Sequence, residues 1–483
     1  MVKIAGLLVV GVWLVMAGTL IKGGPADTPA ASRASLLSGE QWMGIYLNGS
    51  KVGYGSSRVV SNNDGYVLTG DMVMTFNVQG AITSIHSQET SELDAGLRLR
   101  RFDFSIKSGP ADMAVKGVMS GHTLRLEVDS GGTKRTSEVE LDELPMTTDM
   151  DLYFKLNGFE VGRKYRVPFF NTTNLVSEYM DVLVEAEEEV KLGGELIPVY
   201  RVSAEISGVH ATFWTNQEVG TIKAEGIMGL TFIRETKEQA MRKPAGGYQP
   251  ADIIAMNSIK ASGAVPADPR SVTYMKAELA GADLSGLEID GHGQRFKDGI
   301  IGLVEVENGD ARVAGPSRLP LTGPGLDEYL EPTPFVQADD PAIKRKAAEI
   351  TGGEKDALKV ARKLSDWVFR SIKKQPATGV PSAAEVLVSL TGDCNEHTAL
   401  YTALARSAGI PTRMAGGIVM MDGRFYYHAW PEVYIGEWVS IDPTFGQFPA
   451  DATHIRLVEG GLDKQVVIGK VIGKLKVEVV ESR

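Results

Sequence analysis

Glycine punctuates this chain, and that constrains its fold more than any other feature. There are 54 glycines in 483 residues. Between residues 40 and 245 they separate runs in which apolar and polar side chains alternate, the two-residue period of a half-buried strand. Residues 42–47 turn at Asn48-Gly49 into 51–55, and Asn-Gly between alternating runs is a strong hairpin signal. Runs 67–76, 97–106, 112–119 and 123–128 continue the meander. Residues 149–156 read as a short helix, runs 199–206, 210–215 and 220–223 resume strands, and 233–242 reads as a terminating helix. The expectation is an antiparallel sheet. His86, His122, His210 and His292 are scattered without ligand spacing and read as structural.

The second half has a different order. Residues 243–250 and 262–270 read as linkers, and 271–315 as a small strand-rich section. Runs 341–350, 355–372 and 382–390 read as helices, followed by the helix-like run 398–407. A strand at 413–419, a hairpin and a closing strand within 466–480 come after. Helices first and sheet afterwards is an α+β order. The predicted organisation is a targeting segment 1–24, a linker 25–39, an antiparallel β-rich domain 40–245, a strand-rich section 262–330 and an α+β domain 335–483.

The chemistry concentrates in residues 392–444, which contain the only cysteine. Gly392-Asp393-Cys394-Asn395-Glu396-His397 opens the helix-like run, and Ala408-Gly409-Ile410-Pro411 ends it. His428-Ala429-Trp430 begins a strand-like run, and Asp442-Pro443-Thr444 closes the next one. A thiol, an imidazole and a carboxylate, each at the edge of a regular element, are the inventory for nucleophilic acyl chemistry. A buried structural cysteine is the alternative reading.

This segment resembles the transglutaminase-like superfamily of cysteine acyltransferases and peptidases. The resemblance rests on Gly392-Asp393-Cys394, Leu404-Ala405-Arg406 with Gly409-Ile410-Pro411-Thr412-Arg413, His428-Ala429-Trp430, and Trp438 with Asp442-Pro443-Thr444. It covers roughly residues 340 to 455. It implies Cys394 as nucleophile, His428 as base and Asp442 as orienting acid, on a papain-like core whose nucleophile helix packs against an antiparallel sheet. Residues 40–245 loosely resemble the half-barrel lipid- and lipoprotein-handling domains of bacterial envelopes.

Local physics bears on those roles. A thiol in the first turn of a helix is favoured as thiolate by unpaired N–H groups and the helix dipole. The adjacent Asp393 opposes this unless its side chain caps the helix. Runs 425–435 and 438–441 read as a hairpin turning at Gly436. A three-residue loop, Ile435-Gly436-Glu437, sets Tyr434 opposite Trp438 and Asp442 opposite Trp430. His428 is then a diagonal neighbour of Asp442, at roughly 7–8 Å between backbone positions. A two-residue loop would put them on opposite faces, so the triad demands three residues or a bulge.

The competing assignments are weaker. His397, three positions after Cys394, is the rival base, or lines the cleft floor. Cys394 with His397 lacks two further ligands at suitable spacing, so no metal is expected, nor any other cofactor. His454, after Asp451, reads as part of a structural turn, with a place in the cleft as the alternative. Trp430 and Trp438 read as hairpin core, with Trp430 a candidate substrate-binding wall of the acyl pocket. The Cys394 N–H at the helix start offers one oxyanion donor. No glutamine occurs between Glu385 and Gly392 to supply the papain-like second one.

Charge and the N-terminus bound the partners. The net charge of −11, with no basic patch, argues against nucleic acid. Lys3 precedes an uncharged apolar run, residues 4–21, which reads as a signal anchor or signal peptide. The expectation is a membrane-attached body exported to the cell envelope, periplasmic or otherwise extracytoplasmic, acting on a protein or peptide substrate, cell-wall peptides among the candidates. Three functions remain: an exported acyltransferase or amidase, a cysteine peptidase of the envelope, and a non-catalytic envelope binding module.

Overall fold

The computed structural model describes residues 39–108, 112–130, 133–173, 175–192, 194–206, 208–297, 302–307, 317–375 and 382–483. The segment expected to target the chain, residues 1–24, and the expected linker as far as residue 38 lie outside the described residues. The described chain forms two compact units, residues 39–253 and 254–483. With 50% strand and 20% helix, the fold is α+β with a large antiparallel β component, as the sequence predicts.

In the first unit, fourteen strands of the described residues form one antiparallel sheet. The first strand, Gly39–Leu47, lies in its middle. On one side the strands step outward in chain order to Thr133–Glu140. On the other, Gly39–Leu47 pairs with Leu230–Glu235, and the strands run back to Lys164–Asn171. The sheet curls into a near-barrel. Its first turn has the predicted form. Asn48 and Gly49 have φ of 48° and 81°, the left-handed pair that a two-residue hairpin needs, and Leu47 pairs with Ser50. Alternation fills the interior: Phe102, Phe104 and Ile106 of one strand are all buried. The helix Met150–Asn157 starts where the Asp149 carboxylate accepts from the Leu152 N–H at 2.7 Å. Its Leu152 packs with Val59, Leu93 and Leu97.

The helix expected at 233–242 is corrected. The strand Leu230–Glu235 comes first, and only Lys237–Met241 is helical. Ile233, Arg234 and Glu235 pair with Gly44, Met43 and Trp42, so pairing with the first strand overrides local helix propensity.

In the second unit, eight strands of the described residues are ordered Gln294–Lys297, Gly302–Glu307, Tyr274–Ala280, Lys476–Ser482, Ile259–Gly263, Arg424–Tyr434, Thr412–Met421 and Ile455–Glu459. Trp438–Ser440 pairs beside Arg424–Tyr434 as a ninth. Strands from residues 259–307 therefore share one sheet with those of the 335–483 section, and Ile259 pairs with Phe425. Residues 259–263 are a strand, where the sequence reading began a linker at 262. The closing strand is shorter than expected: Val466–Lys470 is a 3-10 turn and only Lys476–Ser482 is extended. Gly473, at φ 76°, turns the chain between them.

The three helices before the cysteine are Pro341–Thr351, Ala357–Ser371 and Ala383–Ser389. The first two begin at Asp340 and Asp356, whose carboxylates cap them. The fourth helix, Cys394–Ser407, is buried from Cys394 to Ala405. Its Leu400, Tyr401 and Leu404 meet Leu364 and Val368 from the helices and Val433, Ile435 and Ile441 from the hairpin in one core. A helix buried this completely has no freedom to shift its first residue, which is Cys394.

Candidate active site

Cys394 is the first residue of its helix, and Asp393 is the N-cap. The Asp393 carboxylate accepts from the Asn395 N–H at 3.0 Å, and Glu396 reaches back to the Asp393 N–H at 3.0 Å. This capping box fixes the entry of the chain. The Asp393 carboxylate is thereby engaged with backbone, although its charge still pushes the neighbouring thiol up.

The helix is tied to the hairpin beside it. Thr398 Oγ1 donates to the Ala429 carbonyl at 3.1 Å, and the Ala429 N–H donates to the Cys394 sulfur. Thiol and candidate base are thus joined through the residue that follows His428.

The hairpin register is the one the triad requires. Tyr434 opposes Trp438 and Glu432 opposes Ser440 across a three-residue loop with Gly436 at φ 107°. Beyond Ser440 the chain leaves the ladder, and the Ile441 N–H bonds back to Pro431 O at 3.0 Å. This brings Asp442 Oδ2 to 2.8 Å from His428 Nε2. The His428 ring lies between Trp430 and Phe445, stacked on them with centroids at 6.1 and 5.1 Å. Trp430 is 1% exposed and packs on this ring.

Asp442 is fully buried. Its Oδ1 accepts from the Thr444 N–H at 2.7 Å and the Phe445 N–H at 3.2 Å, an Asx turn made by Asp442-Pro443-Thr444. Its Oδ2 accepts from His428 and, at 3.1 Å, from His454 Nε2. Burial alone would raise this carboxyl, but its two histidines hold it well below the usual carboxylate range.

The thiol differs from the expectation of a partly ionised cysteine. Burial pushes Cys394 up to about 12, with Asp393 adding to the rise. Burial also pushes His428 down to about 4, against the pull of Asp442. The helix N-terminus does not overcome desolvation of a side chain with no exposed surface. Both shifts favour a neutral thiol and a neutral imidazole at rest. With Nε2–H given to Asp442, the neutral ring carries its lone pair on Nδ1.

His397 is held differently. Its Nδ1 donates to the Asp393 carbonyl at 2.6 Å, within its own helix, and its Nε2 meets no hydrogen-bond partner among the described residues. His454, read from the sequence as a structural turn or a residue reaching the cleft, is bonded to Asp442. Its only local signal was Asp451 three residues earlier. Asp442, His428 and His454 bring three donor atoms within 4.8 Å of one another. Both Nε2–H groups are aimed at one carboxylate oxygen, so the spacing is that of hydrogen bonds.

A buried thiol at a helix start is thus tied to the strand that carries an imidazole bonded to a buried carboxylate. Residues 344–443 match the model of the transglutaminase-like superfamily, so this stretch carries a transglutaminase-like core segment, as the sequence motifs indicate. An uncharacterized protein of Haemophilus influenzae is 31% identical over 98 residues. That match covers 19% of this chain and 26% of the relative, about a quarter of its length. A candidate cysteine protease from Cytophaga hutchinsonii aligns at 12% identity with a TM-score of 0.30, over 44% of this chain and 84% of that one. A β-barrel-like protein of a domain of unknown function from Brucella abortus aligns at 10% identity and TM-score 0.30, over 41% and 94%. No helix of the described residues is long and apolar enough to cross a membrane.

Proposed function

We propose that residues 254–483 form a cysteine acyltransferase or amidase acting on protein or peptide amides. Cys394 Sγ attacks the amide carbonyl while its proton passes to His428 Nδ1. The same proton goes to the leaving amine as the C–N bond breaks, leaving a thioester on Cys394. Water or a second amine then attacks the thioester, His428 takes its proton, and that proton returns to the departing sulfur. Asp442 keeps Nε2 protonated and the ring in plane throughout.

The observation that carries this reading is the His428–Asp442 bond of 2.8 Å, wholly buried, on a ring stacked with two aromatics one residue before the Ala429 N–H that bonds the thiol. Because the resting pair is neutral, charge develops only as the proton moves, and the Cys394 N–H at the helix start is a donor for the oxyanion.

Complete burial of Cys394 favours one other reading, a non-catalytic binding module. Acyl-donor peptides screened for ammonia release and for cleavage, with wild type beside Cys394→Ala and His428→Ala, separate the two. Turnover lost in both variants with the fold retained supports the enzyme. Turnover that survives in Cys394→Ala, or a Cys394 that no electrophile labels in the wild type, overturns it.

A further inference from the structure

We propose that His454 is a positioning residue of this site, a cationic second imidazole that holds Asp442 from the side away from His428 and is itself held by Asp451 and Arg270. The inference rests on the triad reading above. His454, Asp451 and Arg270 all lie outside the matched segment 344–443, and only the Asp442 and His428 they act on lie within it.

A carboxylate can only accept, so the 3.1 Å contact of His454 Nε2 with Asp442 Oδ2 makes Nε2 a donor. The other ring nitrogen, Nδ1, lies 3.0 Å from the Asp451 carbonyl and 3.4 Å from Asp451 Oδ1. Both of those are acceptors, so Nδ1 carries a proton too. A ring with acceptors at both nitrogens and no exposed surface is an imidazolium.

The charges around it balance. Asp442 and Asp451 face it as carboxylates, and His428 lies 5.7 Å away, ring to ring, neutral at rest. Trp430 and Phe445 close the remaining sides without charge. Behind Asp451, Arg270 Nη1 pairs with Asp451 Oδ2 at 3.0 Å, and its guanidinium lies 4.6 Å over the Phe445 ring that stacks on His428. Arg270 also donates to the Met420 carbonyl. Gln447 Nε2 completes Asp451 at 2.9 Å. His454 at about 9, raised chiefly by Asp451 against the effect of burial, agrees with this arrangement.

The consequence is specific. An Asp442 that already faces one cation stabilises a second poorly, so His454 keeps the His428 imidazolium unfavourable at rest. It thereby sets the proton affinity of the base, in addition to fixing the carboxylate.

The test follows the ring nitrogens of His428 and His454 by nitrogen NMR of the full chain against pH, in wild type and in His454→Gln. Glutamine keeps an N–H toward Asp442 and removes the charge. The expected result is a His454 ring protonated through neutral pH, and a His428 midpoint that rises in His454→Gln by an equilibrium factor of about ten or more, one pH unit. Asp451→Asn should lower the His454 midpoint by a similar factor. A His428 midpoint unmoved in a folded His454→Gln, or a His454 ring that is neutral at pH 7, overturns the proposal. If His454→Gln fails to fold, the His454 midpoint in wild type and Asp451→Asn decides alone. Loss of the triad reading would show separately, as turnover surviving in Cys394→Ala, and would leave the NMR midpoints as they are.

Discussion

At the scale of the residue, the site is governed by desolvation more than by helix dipoles. Cys394 and His428 are neutral because neither has water to solvate its charge. His454 is charged because two carboxylates replace the water. The two histidines impose opposite pH limits on stability. His454, raised from 6.5 to about 9, contributes fully below pH 6.5, and its contribution is lost as pH rises through 9. His428, lowered to about 4, stays neutral in the fold while the unfolded chain takes up a proton. Stability therefore falls as pH drops from 6.5 toward 4. Each limb is worth on the order of 3 kcal/mol at 1.36 kcal/mol per pH unit. The melting temperature of the second unit should peak between about pH 6 and 7, and His454→Gln should flatten the alkaline limb. A wild-type melting temperature that climbs steadily from pH 6.5 to 9 would contradict the charge assignment. Cys394, His428 and Asp442 stand out in the sequence because each has a motif of neighbours around it. The ionisation of Cys394 does not, because burial is a property of the whole core.

At the scale of the element, the hairpin and its partner strand decide the geometry. The three-residue loop was deducible, since a two-residue loop would have sent His428 and Asp442 to opposite faces. The backing of His428 was not. Gly417 pairs with His428, and a Cβ there would lie 2.1 Å from the Ile455 carbonyl and 2.9 Å from the Trp430 ring. No rotamer relieves a clash with backbone. Gly417→Ala should push Ile455–Glu459 away and disturb the ring pair Trp430–His428. A destabilisation of about 1–3 kcal/mol is expected, read as a lowered denaturant midpoint, with turnover falling by more than the loss of folded protein. Unchanged stability would mean the strands adjust freely. Gly416→Ala meets only side-chain atoms at 3.0 Å or more and should cost less.

At the scale of the whole molecule, the second unit is one sheet assembled from distant chain segments. Its strands Ile259–Gly263 and Tyr274–Ala280 flank the C-terminal strand Lys476–Ser482, and Arg270 between them pairs with Asp451. A fragment of residues 335–483 lacks both strands and Arg270. It should fail to melt cooperatively, whereas residues 254–483 should melt as a unit and keep a Cys394 with wild-type alkylation kinetics. A cooperative, reactive 335–483 fragment would show that the first strands are dispensable. The sequence by itself determined the α+β class, the Asn48-Gly49 hairpin, the capped helix that presents Cys394 and the loop length that aligns His428 with Asp442. All of these are written in periodicity, caps and turns within a few residues of one another. Tertiary structure alone decided that residues 233–235 lie in a strand, that residues 259–263 join the sheet that carries His428, that burial pushes the Cys394 thiol up, and that Arg270 reaches Asp451 across 181 positions. Those outcomes depend on which surfaces lose water together, and that is set by long-range pairing that no local pattern encodes.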